Sequence, residues 1–408
     1  MTRAERAWIL YDWANSAFTV TVMTAVLPVY FKDVAGSGLP PHLATAYWGY
    51  ANTVATLFIA ALAPLLGSAA DVTGNKKRFL AGFCLLGVSA TVMLTGVSAG
   101  DWATCLAIYM LAVIGFSGAN VFYDALLIDV THPSRMDWIS ANGYAWGYLG
   151  STIPFALSLC LIRWSSAFGL SSRAAAVRAS FVLTAVWWLA FSVPLFLRVE
   201  QQTRGSGGQA LRRGWQQLCS TFTGIRRHKQ IFLFLAAYFF YIDGVDTIIR
   251  MAAVYGHDAG IGSDELLLIL LATQIAAFPF ALAFGKLAGR YSPKPLLLLG
   301  IAAYIVIVGL AYSADSNVDF WLLAMLVATS QGGIQALSRS CYGKLIPPGQ
   351  SAEFFGFYNI FGKFAAVIGP TIVGVGAQAT GSSRTGVLAL ILLFVAGGTL
   401  LLRVKPNA

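Results

Sequence analysis

Charged side chains are scarce in this sequence. Asp, Glu, Lys and Arg together make up 11% of its 408 residues, whereas hydrophobic residues make up 57%. A soluble domain carries about 25% charged residues, because its surface must be solvated. The mean hydropathy of +0.70 points the same way. We therefore expect an integral membrane protein, most of whose surface faces lipid.

Cysteine and histidine are also few. The five cysteines have no paired spacing and the four histidines do not cluster, so the sequence predicts no disulfide framework, no metal site and no cofactor. It also contains no nucleophile motif and no His/Asp/Glu constellation. A membrane-embedded enzyme is therefore the weakest of the alternatives considered.

Long apolar stretches are abundant, and twelve have about the 20 residues that cross a bilayer. The first six lie near 7–31, 45–70, 79–99, 103–130, 138–162 and 176–197. The second six lie near 230–255, 265–288, 295–313, 319–338, 354–378 and 385–402. We predict an all-α membrane protein whose twelve transmembrane helices form two six-helix bundles, residues 1–198 and 230–408. Residues 199–229, Gly/Ser-rich and then basic, predict a cytoplasmic linker with an amphipathic segment.

The basic residues predict the orientation of these spans. With the N-terminus inside, 20 of the 27 lysines and arginines fall on the inner side, 6 on the outer side and Lys363 within a span. This asymmetry follows the positive-inside rule. We therefore expect both termini to be cytoplasmic and attribute the net charge of +10 to orientation, not to nucleic-acid binding. The short loops favour a bacterial inner membrane.

The two halves repeat a loop motif. "GSAADVTGNKKR" begins at Gly67 after the second span, and "GKLAGRYSPKP" begins at Gly285 after the eighth. The first motif resembles the loop signature of the major facilitator superfamily. "YDWANSAF" in the first span and "QGGIQALSRSCYGKLIPPGQSAEFFGFYNIFGKFAAVIGP" near the C-terminus resemble its vacuolar amino-acid effluxer-like branch, which includes uncharacterised bacterial members. The resemblance implies a secondary transporter that works by alternating access, with spans 1, 4, 7 and 10 lining the cavity.

Polar residues inside the spans are the candidate solute- or proton-binding groups. An ionisable side chain at mid-bilayer costs about 2.5–3.5 kcal/mol, so each needs a partner or a water-filled cavity. The candidates lie mainly in the spans that the resemblance assigns to the cavity: Asp12, Asn15, Asn120, Tyr123, Asp124, Asp243, Asp246, Arg250, Gln331, Gln335, Asn359 and Lys363.

Several of these candidates have structural alternatives. Asp243, Asp246 and Arg250 form one helical stripe, in which Asp246 and Arg250 are also spaced as a self-neutralising pair. Asp12 and Asp124 lie at similar depths and are predicted to share a proton, although Asp12 is equally consistent with a structural role. Lys363 meets either an anionic group of the solute or an aspartate of the second half.

The loop after the second span predicts a conformational latch. Asp71 lies close to the basic residues Lys76 and Arg78, at the cytoplasmic surface and outside the solute path. Gly67 permits close helix approach.

The charges of the candidates indicate the class of solute. Asp12, Asp124, Asp243 and Asp246 outnumber Arg250 and Lys363 by two, which favours a small zwitterionic or cationic solute, amino-acid-like, with proton coupling; sodium stays open as the coupling ion. The resemblance favours export. Asp124 and Asp246 depart from the residues expected in that branch, so an exporter of drug-, siderophore- or lipid-like compounds is the alternative. We expect a monomer whose partners are the solute, the coupling ion and the lipid bilayer.

Overall fold

The computed structural model describes residues 1–201, 210–223, 228–258, 261–314, 316–380 and 383–405. Within these ranges, twelve helical segments are long and apolar enough to cross a membrane, six before the linker and six after it. The prediction of an all-α, twelve-span protein is confirmed. We number these segments as spans 1 to 12.

The first six spans begin with an irregular helix. Span 1 comprises the helix Arg3–Phe18, the π-helical turns Thr19–Ala25, the helix Val26–Tyr30 and the π-helical turns Phe31–Ala35. Spans 2 to 6 are the helices Pro41–Thr73, Lys76–Met93, Trp102–Val130, Met136–Arg163 and Arg173–Arg198.

Span 1 begins at a capping box. The Glu5 backbone N–H donates to the Thr2 hydroxyl at 3.1 Å, and the Thr2 backbone N–H donates to Glu5 Oε2 at 2.6 Å. These bonds satisfy backbone groups that a helix N-terminus otherwise leaves unpaired. They fix the start of the helix that carries Asp12 and Asn15.

The second six spans follow a short linker helix, Ala210–Thr223. Spans 7 to 11 are the helices Lys229–Asp258, Ser263–Tyr291, Pro293–Tyr312, Asn317–Leu345 and Ser351–Thr380. Span 12 comprises the helices Ser383–Leu388 and Ile391–Arg403.

The chain forms two compact units. Unit 1 is Met1–Val130 with Trp146–Trp215, and unit 2 is Thr131–Ala145 with Gln216–Ala408. The linker helix is therefore divided at Trp215, and the beginning of span 5 clusters with the second unit. The predicted division at residues 198 and 230 does not contain this crossover, because an apolar pattern gives the bounds of a helix and not its neighbours.

Small residues bring the beginning of span 5 close to span 8 within unit 2. A Cβ built on Gly285 would lie 2.3 Å from the Cβ of Ala141. Glycine at this position therefore allows a helix approach that any larger residue would prevent. It is the glycine with which the repeated motif of the second half begins.

Spans 3 and 4 are in backbone contact within unit 1. A Cβ built on Gly115 would lie 2.3 Å from the Gly87 backbone nitrogen. Both positions are glycines, so backbone atoms form the contact and no flexible side chain can move aside. A single methyl group on Gly115 must therefore push the two helices apart.

We therefore predict that Gly115→Ala destabilises the protein by about 1–3 kcal/mol, the usual cost of overpacking. Thermal unfolding of the purified protein in detergent measures the effect. Gly49→Ala is the matched control, because no atom lies within 4 Å of the Cβ position there. Equal unfolding midpoints for the two variants would contradict the close contact.

Candidate functional site

The carboxylate of Asp12 is buried between spans 1 and 4. The Tyr123 hydroxyl donates a hydrogen bond to Asp12 Oδ2 at 3.0 Å. The Trp8 indole N–H donates to the Tyr123 carbonyl at 2.9 Å, and the two rings stack with centroids 4.5 Å apart. Trp8 therefore orients the tyrosine that holds the carboxylate.

A second hydrogen-bonded pair lies one helical turn away from the first on both helices. The Asn15 side-chain N–H donates to Asn120 Oδ1 at 2.6 Å. Asn15 follows Asp12 by three residues, so these two side chains lie on one face of span 1. Asn120 precedes Tyr123 by three residues, so these two lie on one face of span 4. The structure thus brings four of the predicted residues together, and the two pairs set the register of span 1 against span 4.

Span 5 closes this group of side chains through a glycine. A Cβ built on Gly147 would lie 2.9 Å from Ser16 Oγ and 3.4 Å from Asp12 Oδ1. The absence of a side chain at Gly147 leaves room for both polar groups. Nothing in the residue pattern singled out this glycine.

Asp124 is buried as well, with 9% of its surface exposed. It is the next residue after Tyr123, and consecutive residues point about 100° apart around a helix. Since Tyr123 faces Asp12, the Cα–Cβ bond of Asp124 lies on the neighbouring face of span 4. A proton shared by Asp12 and Asp124 stays a prediction.

The predicted latch is a network of three charges in unit 1. Lys76 Nζ lies 3.7 Å from Asp71 Oδ1 and 2.8 Å from Asp129 Oδ2, and all three side chains are nearly buried. Gly67 is buried in the helix that carries Asp71. The sequence did not identify Asp129 as part of the latch, because the predicted topology places this end of span 4 on the cytoplasmic side but does not show which side chain reaches Lys76.

Lys77 ties the same loop to the end of span 6. Its Nζ donates to the Val199 carbonyl at 2.6 Å, and its backbone N–H donates to Gln201 Oε1 at 2.8 Å. The Gln201 side-chain N–H in turn donates to the Gly74 carbonyl. Arg78, predicted as a latch residue, is exposed, and no described residue binds its side chain. Lys77, and not Arg78, connects this loop to the end of span 6.

Asp243 is completely buried in unit 2, where it binds backbone. The Gly369 N–H donates to Asp243 Oδ1 at 2.9 Å, and the Thr247 hydroxyl lies 3.5 Å from the same oxygen. Gly369 directly precedes Pro370, which lies inside span 11. Proline interrupts the hydrogen-bond ladder of a helix, and Asp243 binds the backbone amide directly before it.

The other predicted residues of span 7 continue along the same helix. Asp246 is half-buried. The side chain of Arg250 lies outside the described residues, so the predicted pair between the two stays a prediction.

Gln331 lines a cavity of about 120 Å³ inside unit 2. The lining includes Thr247, Thr273 and Gln274, is otherwise apolar, and contains no ionisable residue among those described. Gln331 itself is 4% exposed. The cavity offers amides and hydroxyls to a ligand, but no charge.

The remaining candidates of unit 2 are half-buried. Gln335 lies one turn beyond Gln331 in span 10, and Lys363 lies in span 11. The Asn359 side-chain N–H donates to the Phe355 carbonyl of its own helix at 3.0 Å. The predicted partner of Lys363, a solute or an aspartate, stays a prediction.

Two basic residues of span 10 hold the beginning of span 5 in unit 2, and sequence reasoning missed both. Lys344 Nζ lies 2.5 Å from Asp137 Oδ2. The buried Arg339 donates to Ser140 Oγ at 2.9 Å and to the Ser140 carbonyl at 3.0 Å, and its guanidinium lies 4.4 Å from the centre of the Tyr144 ring. In the sequence these residues were counted only as inner charges.

Comparison with known proteins identifies the family. Residues 41–407 match the family model described as "Vacuole effluxer Atg22 like". The chain belongs to this family. It is 48% identical over 399 residues, 97% of the chain and 93% of the relative, to YxiO of Bacillus subtilis (strain 168), described as an uncharacterised MFS-type transporter. It is 22% identical to autophagy-related protein 22 of Saccharomyces cerevisiae (strain ATCC 204508 / S288c), over 96% of the chain and 89% of the relative.

Solved structures identify the fold. The proton:xylose symporter XylE superposes with a TM-score of 0.78 at 13% sequence identity, covering 99% of this chain and 95% of that one. The predicted resemblance to the major facilitator superfamily is confirmed. This Atg22-like protein is a multi-pass membrane transporter with the major facilitator fold.

The charge network of Lys76, Asp71 and Asp129 can be tested by substitution. We predict that Lys76→Met destabilises the Atg22-like protein by about 3–5 kcal/mol, because it leaves Asp71 and Asp129 buried without their shared cation. The unfolding midpoint in detergent measures the loss, and Lys76→Arg should restore part of it. Arg198→Met, at an exposed arginine of the same unit, is the matched control. An unchanged midpoint for Lys76→Met would contradict the network.

Proposed function

We propose that this transporter moves a small amino-acid-like solute, zwitterionic or cationic, across the membrane by alternating access, coupled to protons. The observation that carries the proposal is the pair of hydrogen bonds Asp12–Tyr123 and Asn15–Asn120 inside unit 1. Polar groups within a membrane span are costly and mark solute or ion paths.

The chemistry of these four side chains favours a solute with an ammonium group. Asp12 is held by a neutral hydroxyl, and a cation can replace a hydroxyl as partner of a carboxylate with a gain in electrostatic energy. The bond between Asn15 and Asn120 uses one of the two N–H groups of one amide and one oxygen of the other. The remaining amide groups suit the carboxylate of a zwitterion.

Asp12 is also the residue that we propose for coupling. A carboxylate that binds an ammonium group in one state and a proton in another links solute release to proton uptake. Sodium is the alternative ion. The similarity to a proton symporter supports the fold alone, so the proposed proton coupling rests on Asp12.

Alternating access requires contacts that form and break. The ion pair Asp137–Lys344 and the bonds from Arg339 to Ser140 hold the beginning of span 5 in unit 2, whereas the rest of that helix belongs to unit 1. We propose that these contacts open once in each transport cycle.

Export is the proposed direction, in keeping with the effluxer description of the family. A second candidate, export of drug-, siderophore- or lipid-like compounds, is favoured by the apolar cavity of unit 2. Counterflow with labelled amino acids, amines and apolar compounds separates the two candidates, because only the first requires an ammonium group on the solute.

Counterflow in proteoliposomes tests the proposal. We expect exchange of at least one labelled amino acid or amine, and Tyr123→Phe should lower the initial rate about tenfold by removing the hydrogen bond that positions Asp12. Tyr109→Phe is the matched control, because it removes a hydroxyl of the same span that binds Asn52 at 3.2 Å. Equal rates for both variants, or exchange of apolar compounds alone, would refute the proposed site.

The pH dependence tests the coupling. We expect an inward proton gradient to drive export by the wild-type protein. Asp12→Asn should abolish the response to the gradient, and should weaken but not abolish solute exchange, because the ammonium group loses its carboxylate while the amides remain. Initial rates at matched solute concentration, with and without the gradient, give the comparison. A full response in Asp12→Asn would exclude this carboxylate as the proton site.

A further inference from the structure

Arg78 has a different role from the two lysines before it. Lys76 binds Asp71 and Asp129, and Lys77 binds the Val199 carbonyl. Among the residues that the structure describes, none forms an ion pair or a side-chain hydrogen bond with Arg78, and its side chain is exposed. It lies in the first turn of span 3, at the membrane surface predicted to be cytoplasmic. A cation in this position is available to a ligand from outside the protein.

Arg78 lies at an open groove on the surface of unit 1. The groove has a volume of about 420 Å³. Apart from Arg78, its lining is wholly apolar: Leu66, Phe79, Gly82, Phe83 and Leu86. The positive charge of Arg78 thus lies at the edge of an apolar groove.

The groove follows the helix axis. Phe79, Gly82, Phe83 and Leu86 have the spacing i, i+3, i+4 and i+7, so they form one stripe on span 3. The stripe is about 10 Å long at 1.5 Å per residue. It begins one residue after Arg78 and runs into the membrane.

The walls of the groove are fixed and its centre is open. The rings of Phe79 and Phe83 pack on Phe122, with centroids 5.2 Å and 6.0 Å apart. At Gly82 an added Cβ would meet no atom within 4 Å. The groove is therefore a notch left by a glycine between two anchored aromatic rings.

We propose that this groove binds one anionic phospholipid. The Arg78 guanidinium binds the phosphate, since its planar fork matches phosphate oxygens, and an acyl chain lies along the notch at Gly82. The two nearby carboxylates, Asp71 and Asp129, are paired with Lys76. The positive charge of Arg78 therefore favours a headgroup with net negative charge over a zwitterionic one.

The test is lipid binding to the purified, delipidated full-length protein. Phosphatidylglycerol and phosphatidylcholine with the same acyl chains are added in detergent, and bound lipid is counted by native mass spectrometry. We expect saturable binding of one phosphatidylglycerol, weakened about fivefold by Arg78→Gln and largely kept by Arg78→Lys. Arg198→Gln, which removes an exposed arginine elsewhere in unit 1, should leave binding unchanged.

Gly82→Leu tests the acyl-chain part of the site. It fills the notch from a Cβ position that meets no atom within 4 Å and should remove the saturable binding, whereas Gly289→Leu, at another open glycine, should not. Unfolding midpoints without lipid show that each variant is folded. Equal binding of the two lipids, full binding by Gly82→Leu, or complete displacement by equimolar inorganic phosphate would each overturn the proposal.

Discussion

A polar group inside the membrane needs either a partner in the protein or water in a cavity, and in unit 1 the first of these aligns two helices. Asp12 and Asn15 lie on one face of span 1 and meet Tyr123 and Asn120 on one face of span 4. Because both pairs have the same three-residue spacing, one relative position of the two helices satisfies both bonds. The polar groups that cost energy in lipid therefore also specify how these helices align.

The same constraint has a different outcome in unit 2. Asp243 accepts a hydrogen bond from the Gly369 backbone amide, and an amide of the main chain cannot leave its helix. Asp12 accepts a hydrogen bond from the Tyr123 hydroxyl, and a side-chain hydroxyl, unlike a main-chain amide, can move without its helix. Of these two carboxylates, Asp12 is the one that we propose to exchange partners during transport, whereas Asp243 holds the backbone amide directly before Pro370.

The sequence was sufficient to predict the twelve spans, their α-helical nature and the superfamily, because these depend on composition, span length and local motifs. Spacing along one helix determines its faces, so the sequence also predicted that Asp12 shares a face with Asn15 in span 1 and that Asn120 shares a face with Asp124 in span 4. It could not supply partners across helices. Whether Tyr123 or Asp124 faces Asp12 depends on a rotation of about 100°, and Asp129, Gly147 and the Asp137–Lys344 pair depend on how distant segments pack.

The basic triplet after span 2 shows how one local motif serves several contacts. Residues 76, 77 and 78 are rotated by about 100° from one to the next, so three adjacent cations point in three directions. Lys76 binds the carboxylate at the end of span 4, Lys77 binds the carbonyl at the end of span 6, and Arg78 faces outward. A motif that counts only as positive charge in the sequence therefore joins two helix ends and leaves one cation exposed. Any movement of span 4 relative to span 6 acts on this loop, directly beside the proposed lipid site.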